Sequence, residues 1–281
     1  VVAEDCVVIA TQNGDIKRIA PSAFKVQKRN GKGVKTTDDA ILDMISTNTI
    51  DTLMFFTDKG KMYRLLVDKV PVGTQASKGG RIGALINIEP DEKVIAMTSL
   101  YRKSQADYVI FITKNGLFKK TFLSEYMNTK RSTGIAAINL KEGDSIATVT
   151  FANEEDFILV TKQGMSIHFE TKEIAPIGRV AAGVKSIKLS EGDEVLTGLP
   201  IKHNTDYLAT FSVAGTARKT SLDEFPVQGR NGKGLKIGSG ELAGAALVSD
   251  EDNLLIVGSP NSICISATEI PLLARTALRN I

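Results

Sequence analysis

Along this chain a run of apolar, mostly β-branched or aromatic residues ends in Thr or Ser. Two mostly polar residues follow, then Gly, then a second run in which apolar and polar positions alternate. The unit stands as VVIATQNGDIKR from Val7, LMFFTDKGKMYR from Leu53, VIFITKNGLFKK from Val109, FILVTKQGMSIH from Phe157 and LATFSVAGTARK from Leu208, with a sixth, worn copy, LIVGSPNSICIS, from Leu255. Two strand-like runs around a short polar turn with Gly predict a β-hairpin, because Gly accepts the positive φ that such turns require. The repeats centre on Gly14, Gly60, Gly116, Gly164, Gly215 and Ser262, at intervals of roughly 46 to 56 residues. A second device recurs later in the unit. Gly134–Leu140 runs into Glu142-Gly-Asp144, Gly183–Leu189 runs into Glu191-Gly-Asp193, and Ile88–Val94 is a looser counterpart. Each reads as strand, tight turn, strand, so a unit holds about four short strands.

Units of this size stack to bury faces that one unit cannot bury alone, and the prediction is an all-β, propeller-like disc of six four-stranded repeats filling residues 1–281 as a single domain. Helix is expected only as short turns, over Asp38–Ile45 and Thr220–Phe225. The recurring Thr/Ser and Gly establish architecture, so function must come from what decorates the repeats.

Charge supplies that decoration. Lys and Arg total 35 against 32 Asp and Glu, a net +3, which is too small by itself to mark a nucleic-acid binder. The distribution is uneven. From Lys17 to Lys35 there are seven cations (Lys17, Arg18, Lys25, Lys28, Arg29, Lys32, Lys35) and no acid. The equivalent region is also basic in other repeats, through Arg64, Lys78 and Arg81, then Lys119, Lys120, Lys130 and Arg131, then Arg218, Lys219, Arg230 and Lys233. If equivalent positions lie at equivalent radii, these residues form a discontinuous cationic belt on the rim, which follows duplex phosphates without reading bases. Within it Gln27, Lys28, Arg29, Asn30, Gly31, Lys32 and Gly33 form the densest feature, repeated as Gln228-Gly-Arg-Asn-Gly-Lys-Gly234. Two Gly in three positions let backbone approach a phosphate closely.

Through this box the sequence resembles the C-terminal DNA-wrapping domain of the bacterial DNA gyrase A protein and its paralogue in topoisomerase IV. The gyrase hallmark is Gln-(Arg/Lys)-Arg-Gly-Gly-(Arg/Lys)-Gly, which Gln27–Gly33 matches except for Asn30. Phe55–Arg64, Gly134–Leu140, Gly178–Val184 and Gly215 with Arg218-Lys-Thr220 add to the likeness, which covers the whole chain. The resemblance implies a six-bladed β-pinwheel with strands exchanged between neighbours, a rim that binds and bends duplex DNA, and a box that fastens the first blade to the last. It further implies a non-catalytic part of an ATP-hydrolysing type IIA topoisomerase. The partners would be the breakage-reunion domain of gyrase A and the gyrase B subunit in an A2B2 assembly, in the cytoplasm at the nucleoid. No cofactor is expected in this domain; ATP and Mg would act elsewhere. The near-intact box favours gyrase-type chiral wrapping, with segment selection for decatenation in topoisomerase IV as the alternative.

Other classes fit less well. No stretch approaches the roughly 20 apolar residues of a membrane span, and the chain begins without Met, as expected for a piece of a longer protein. Cys6 and Cys264 have no CxxC spacing, as expected in a reducing compartment. His168 and His203 lack metal-site spacing, and no GxxxxGK[ST] loop is present. None of the five tyrosines, Tyr63, Tyr101, Tyr108, Tyr126 and Tyr207, sits in the Arg-Tyr setting of the family's DNA-cleaving tyrosine. A protein-binding propeller would need apolar anchors in its loops, and the chain has no Trp and only 6% aromatics.

Overall fold

In the computed structural model, which describes residues 1–24, 32–35, 40–129, 133–257 and 263–278, the first repeat holds β1 (Asp5–Thr11), β2 (Asp15–Ile19), β3 (Lys32–Lys35) and β4 (Ile41–Asn48). The second holds β5 (Thr52–Thr57), β6 (Lys61–Leu66), β7 (Gly80–Arg81) and β8 (Val94–Leu100). The third holds β9 (Tyr108–Thr113), β10 (Leu117–Phe122), a single helical turn α1 (Ser124–Met127), β11 (Ile135–Ala136) and β12 (Ile146–Ala152). The fourth holds β13 (Phe157–Thr161), β14 (Met165–Phe169), β15 (Val184–Lys185) and β16 (Val195–Pro200). The fifth holds β17 (Tyr207–Ser212), β18 (Ala217–Ser221), β19 (Leu235–Lys236) and β20 (Leu242–Val248), and a last hairpin, β21 (Asn253–Val257) with β22 (Ile263–Ser266), leads into a short turn at Ala267–Glu269.

The recurring Thr and Gly act together at the hairpin turns. Gly116 takes φ +90° and its N–H donates to the Thr113 carbonyl at 3.0 Å, while the Thr113 hydroxyl accepts from the Leu117 N–H at 3.0 Å. Thr11 and Thr161 make the same pair of bonds. One side chain thus satisfies a turn amide that a plain hairpin would leave to water.

Each of the first four hairpins is joined on one side by the last strand of its own repeat and on the other by a two-residue strand from the next repeat, giving sheets ordered β4-β1-β2-β7, β8-β5-β6-β11, β12-β9-β10-β15 and β16-β13-β14-β19. All these pairings are antiparallel. The strands β4, β8, β12, β16 and β20 pack successively against one another and so form the inner layer, which places the exchanged strands β7, β11, β15 and β19 at the outer edge. The inner strand pairs through a register shift next to the turn Thr or Ser, a bulge that bends each sheet at the same place.

Alternation along the central strand sends successive side chains to opposite neighbours. Val8 clusters with Phe55, Met54 with Phe111, Ile112 with Leu159, Ile158 with Leu208, Ala209 with Leu254, and Leu255 with Val7, so the apolar clusters close a ring. All but Leu208 and Leu255, at 1% exposure, are wholly buried. Full burial of such a Leu, Val or Phe contributes about 1.5–3 kcal/mol. Phe118 meets Phe157 and Phe169 edge-on, with centroids 5.2 and 5.4 Å apart.

The expectation of six four-stranded blades is corrected to five blades. Among the described residues five repeats carry the full pattern, four as four-stranded sheets and the fifth as the three-stranded β18-β17-β20. The C-terminal hairpin has no inner strand of its own. That place is taken by β3 of the first repeat, which pairs with β21 in parallel and packs between β20 and β4. The hairpin wedges the ring shut with a borrowed strand instead of forming a further repeat. A second expectation also fails: Ile41–Asn48 is strand, whereas the turn over Thr220–Phe225 appears at Leu222–Glu224. Among the described residues no helix is long and apolar enough to cross a membrane.

Candidate nucleic-acid interface

The cations that follow the hairpin turns do not stand on the rim. The second hairpin strand is covered on its outer edge by the next repeat, so both of its faces are enclosed. Lys17, Arg64, Lys119, Lys120, Arg218 and Lys219 are all buried, which corrects their expected place in a DNA-facing belt. A buried cation requires internal acceptors, and each has them. Lys17 Nζ donates to the carbonyls of Thr74, Gln75 and Ser77 at 2.6, 3.0 and 2.6 Å. Arg218 donates to the carbonyls of Ala274 and Ala277. Lys119 donates to the hydroxyls of Thr121 and Tyr126, both at 2.8 Å, and to the Ala137 carbonyl at 3.0 Å. Burial lowers the Lys17 and Arg218 pKa values and brings Lys119 down to about 7.

Lys17 and Arg218 thereby reach the chain that follows their own repeat, whereas the acceptors of Lys119 lie in its own; the adjacent position, on the other face, ties each repeat to the next. Arg18 Nε donates to the Val70 carbonyl at 2.9 Å, with Asp68 at 3.8 Å. Arg64 donates to the Thr129 carbonyl, Lys120 to the Thr171 carbonyl at 3.4 Å and to Glu154 at 3.0 Å, and Lys219 to the Ala267 carbonyl at 2.9 Å. His168 takes this place in the fourth repeat, between the Phe225 carbonyl at 2.8 Å and Asp156 at 2.9 Å. Three of these five partners, Val70, Thr129 and Phe225, cap or follow the short turn at the start of the next repeat's outer loop, and the other two, Thr171 and Ala267, begin it. The residues at this adjacent position therefore staple consecutive blades.

A group of exposed cations lies one loop further on. Lys78 and Arg81 flank β7, Lys185 ends β15 with Lys188 just beyond it, and Arg230, Lys233 and Lys236 surround β19. Arg81, Lys185 and Lys236 occupy the second position of their exchanged strands, project from the outer edge and recur in three blades. Arg81 is held by Asp15 at 2.9 Å, Arg230 donates to the Lys185 carbonyl at 2.8 Å, and Lys236 donates to the Gln163 carbonyl. Arg179, half-buried, donates to the Ala136 carbonyl. Of the expected rim residues, Lys78, Arg81, Arg230 and Lys233 are thus exposed. Sequence reasoning missed Arg179, Lys185 and Lys188. The signal was present, since Gly183-Val-Lys185 repeats Gly234-Leu-Lys236 at the head of the corresponding strand.

Gln27, Lys28, Arg29, Asn30 and Gly31 of the box lie outside the described residues, as do Lys130 and Arg131. Lys32, Gly33 and Lys35 are described as backbone of β3. The second box, Gln228–Gly234, is described throughout. There Asn231 has φ +66°, and its N–H donates to the Ser186 carbonyl at 2.8 Å, tying the basic loop to the preceding repeat.

Strand-exchanged blades around a common axis, with an exposed cation on three of the exchanged outer strands, define a propeller-like domain. A family model described as DNA gyrase C-terminal domain, beta-propeller, matches residues 7–48, 51–100, 107–153, 155–202 and 206–248, and the chain belongs to this family. These five segments coincide with the five complete repeats. The DNA gyrase A protein of Mycolicibacterium smegmatis is 34% identical over 276 residues, covering 94% of this chain and 32% of that protein. The Lawsonia intracellularis gyrase A protein is 35% identical over 272 residues, covering 92% and 33%. The chain therefore spans about a third of these relatives. A solved DNA gyrase A C-terminal domain superposes with a TM-score of 0.82 at 23% identity, covering 99% of this chain and 94% of that one. The C-terminal domain of DNA topoisomerase IV superposes with 0.72 at 27% identity, covering 99% and 88%.

Proposed function

We propose that this chain binds duplex DNA along its rim without reading sequence, bends it, and wraps it with one hand, as the C-terminal part of a gyrase A protein. The observation that carries the reading is the recurrence of exposed cations on the exchanged outer strands, Arg81, Lys185 and Lys236, in three blades of one disc. A curved row of cations on rigid strands follows phosphates, and each phosphate neutralised releases condensed counterions. A rim making about 6–10 such contacts loses roughly 10³–10⁵ in affinity between 50 and 200 mM salt. Bending a duplex site costs on the order of 1–6 kcal/mol, offset by the additional phosphates that reach the rim once the duplex curves.

In the whole enzyme this wrap would present a DNA segment to the breakage-reunion domain of gyrase A, with gyrase B in an A2B2 assembly, and ATP and Mg would act in those parts. The setting would be the cytoplasm, at the nucleoid. The box cations Lys28, Arg29 and Lys32, together with Lys35, Lys130 and Arg131, belong to the proposed DNA surface. Substituting Lys28, Arg29 and Lys32 together abolishes wrapping on this reading and only weakens binding, because Lys78, Lys185 and Lys233 still attract the duplex. Persistence of wrapping in the triple variant would remove the box from the mechanism. The relatives at 34–35% identity are gyrase A proteins, which supports gyrase-type wrapping. The likeness to the topoisomerase IV domain keeps decatenation-type segment selection as the second reading.

A further inference from the structure

Three rim loops present an apolar side chain in the same way. Pro71-Val72, Pro226-Val227 and Pro271-Leu272 each follow the short turn that opens the outer loop, and Val72, Val227 and Leu272 are 73%, 51% and 57% exposed. Their backbone is fixed. The Arg18 N–H donates to the Pro71 carbonyl and the Gly73 N–H to the Arg18 carbonyl, both at 2.9 Å. The Lys219 N–H donates to the Pro271 carbonyl and the Leu273 N–H to the Lys219 carbonyl, again at 2.9 Å, and the Gln228 N–H donates to the His168 carbonyl at 2.7 Å. Each apolar residue thus forms a parallel bridge to the strand that carries the inter-blade staple, Arg18 to Val72, His168 to Val227 and Lys219 to Leu272. The preceding Pro removes further freedom.

Singly scattered exposed aliphatics are ordinary on a protein surface. A rigidly held one at the same place in three repeats is a pattern. Two of them also sit in loops that carry exposed rim cations a few residues on, Lys78 and Arg81 after Val72 and Arg230 and Lys233 after Val227, while Arg275 after Leu272 is half-buried and donates to the Glu224 and Lys236 carbonyls at 3.0 and 3.1 Å. A basic rim repels a second copy of itself, and its charge complements a polyanion. An apolar prong between phosphate-binding cations suits the minor groove of a bent duplex, where such side chains enter between base steps, partly unstack them and kink the helix. A prong already fixed by Pro and ladder bonds loses little freedom on insertion.

We propose that Val72, Val227 and Leu272 are minor-groove wedges that enter duplex DNA between phosphates held by the neighbouring rim cations. The proposal rests on the reading of the rim as a duplex-binding surface and adds a kinking function to it. The test combines Val72→Ser, Val227→Ser and Leu272→Ser in this chain. All three side chains project into solvent, and circular dichroism and melting confirm that the fold is kept; Val72→Ser alone serves if the triple change disturbs it. The probe is a short duplex carrying 2-aminopurine at successive steps and a fluorophore at each end. The wild type should brighten 2-aminopurine at spaced steps and bring the ends together. The variant should keep the salt dependence of binding, lose at least about half of the brightening, and bend the duplex less. A wild type that binds with salt-sensitive affinity but leaves 2-aminopurine dark, or a variant that brightens and bends as the wild type does, would overturn the wedges alone. A wild type without salt-sensitive binding would overturn the rim reading and the wedges with it.

Discussion

The ammonium of Lys219 donates to the backbone carbonyl of Ala267 at 2.9 Å, and so ties the fifth blade to the hairpin that closes the ring. It also lies 4.7 Å from the Tyr207 ring centre and 3.2 Å from Asp250. Lys219→Ala removes this tie and the packing of its stem. We expect a loss of about 1–3 kcal/mol in urea unfolding with the salt slope of DNA binding unchanged. A variant of normal stability with a reduced slope would instead place Lys219 on phosphate.

The exposed cations should behave in the opposite way. Lys78→Gln, Lys185→Gln and Lys233→Gln should each leave the melting temperature nearly unchanged and lower the slope of log affinity against log salt by about 1. Fluorescence anisotropy over a salt series separates the two classes, and unchanged slopes in all three variants would remove the outer strands from the interface.

The strand exchange that holds these cations depends on backbone proximity. Gly234 has φ +80°, and a Cβ there would lie 2.1 Å from the Ser166 carbonyl oxygen. Gly234→Ala should detach β19 from β14, seen as fast amide exchange at Leu235 and at Ile237, whose N–H donates to the Gly164 carbonyl at 2.8 Å, and weaken DNA binding through Lys233 and Lys236. Retained protection at both amides would show that the contact yields without cost.

Lys119 sets a pH dependence. It is wholly buried, with Thr121, Tyr126 and Ala137 as neutral acceptors, and burial holds its pKa near 7, well below the ordinary lysine value. Between about pH 7 and the unfolded pKa of about 10.4 the unfolded chain binds the extra proton, so this group makes the fold more stable as pH rises. Lys119→Met should flatten that rise by up to a few kcal/mol over the window, and should be neutral or stabilising below pH 7, where the charged ammonium is costliest. Denaturant midpoints at pH 6, 8 and 9.5 check this, and parallel pH profiles would contradict it.

The hairpins were legible because their cause is local: Thr113 and Gly116 satisfy one turn within five residues. The fate of Lys119 and Lys120 was not. Two adjacent strand residues point to opposite faces, and on an ordinary edge strand one of them would meet solvent. Here both are enclosed, Lys119 by Tyr126 and Ala137 of the loop that follows its own strand and Lys120 by Thr171 of the next repeat. The belt of exposed charge shifted outward by one loop for the same reason. Ring closure was equally hidden, since the parallel pairing of Val34 with Ile256 joins residues at opposite ends of the chain and leaves no periodic trace.

The most direct test of the wrapping claim is the linking number of DNA closed on the protein. Nicked circular DNA is ligated with increasing amounts of this chain, the protein is stripped, and the topoisomers are resolved on a gel. Chiral wrapping on the basic rim predicts a progressive positive shift that is lost when Lys78, Lys185 and Lys233 are replaced together. An unshifted distribution at protein levels that saturate the DNA would contradict it.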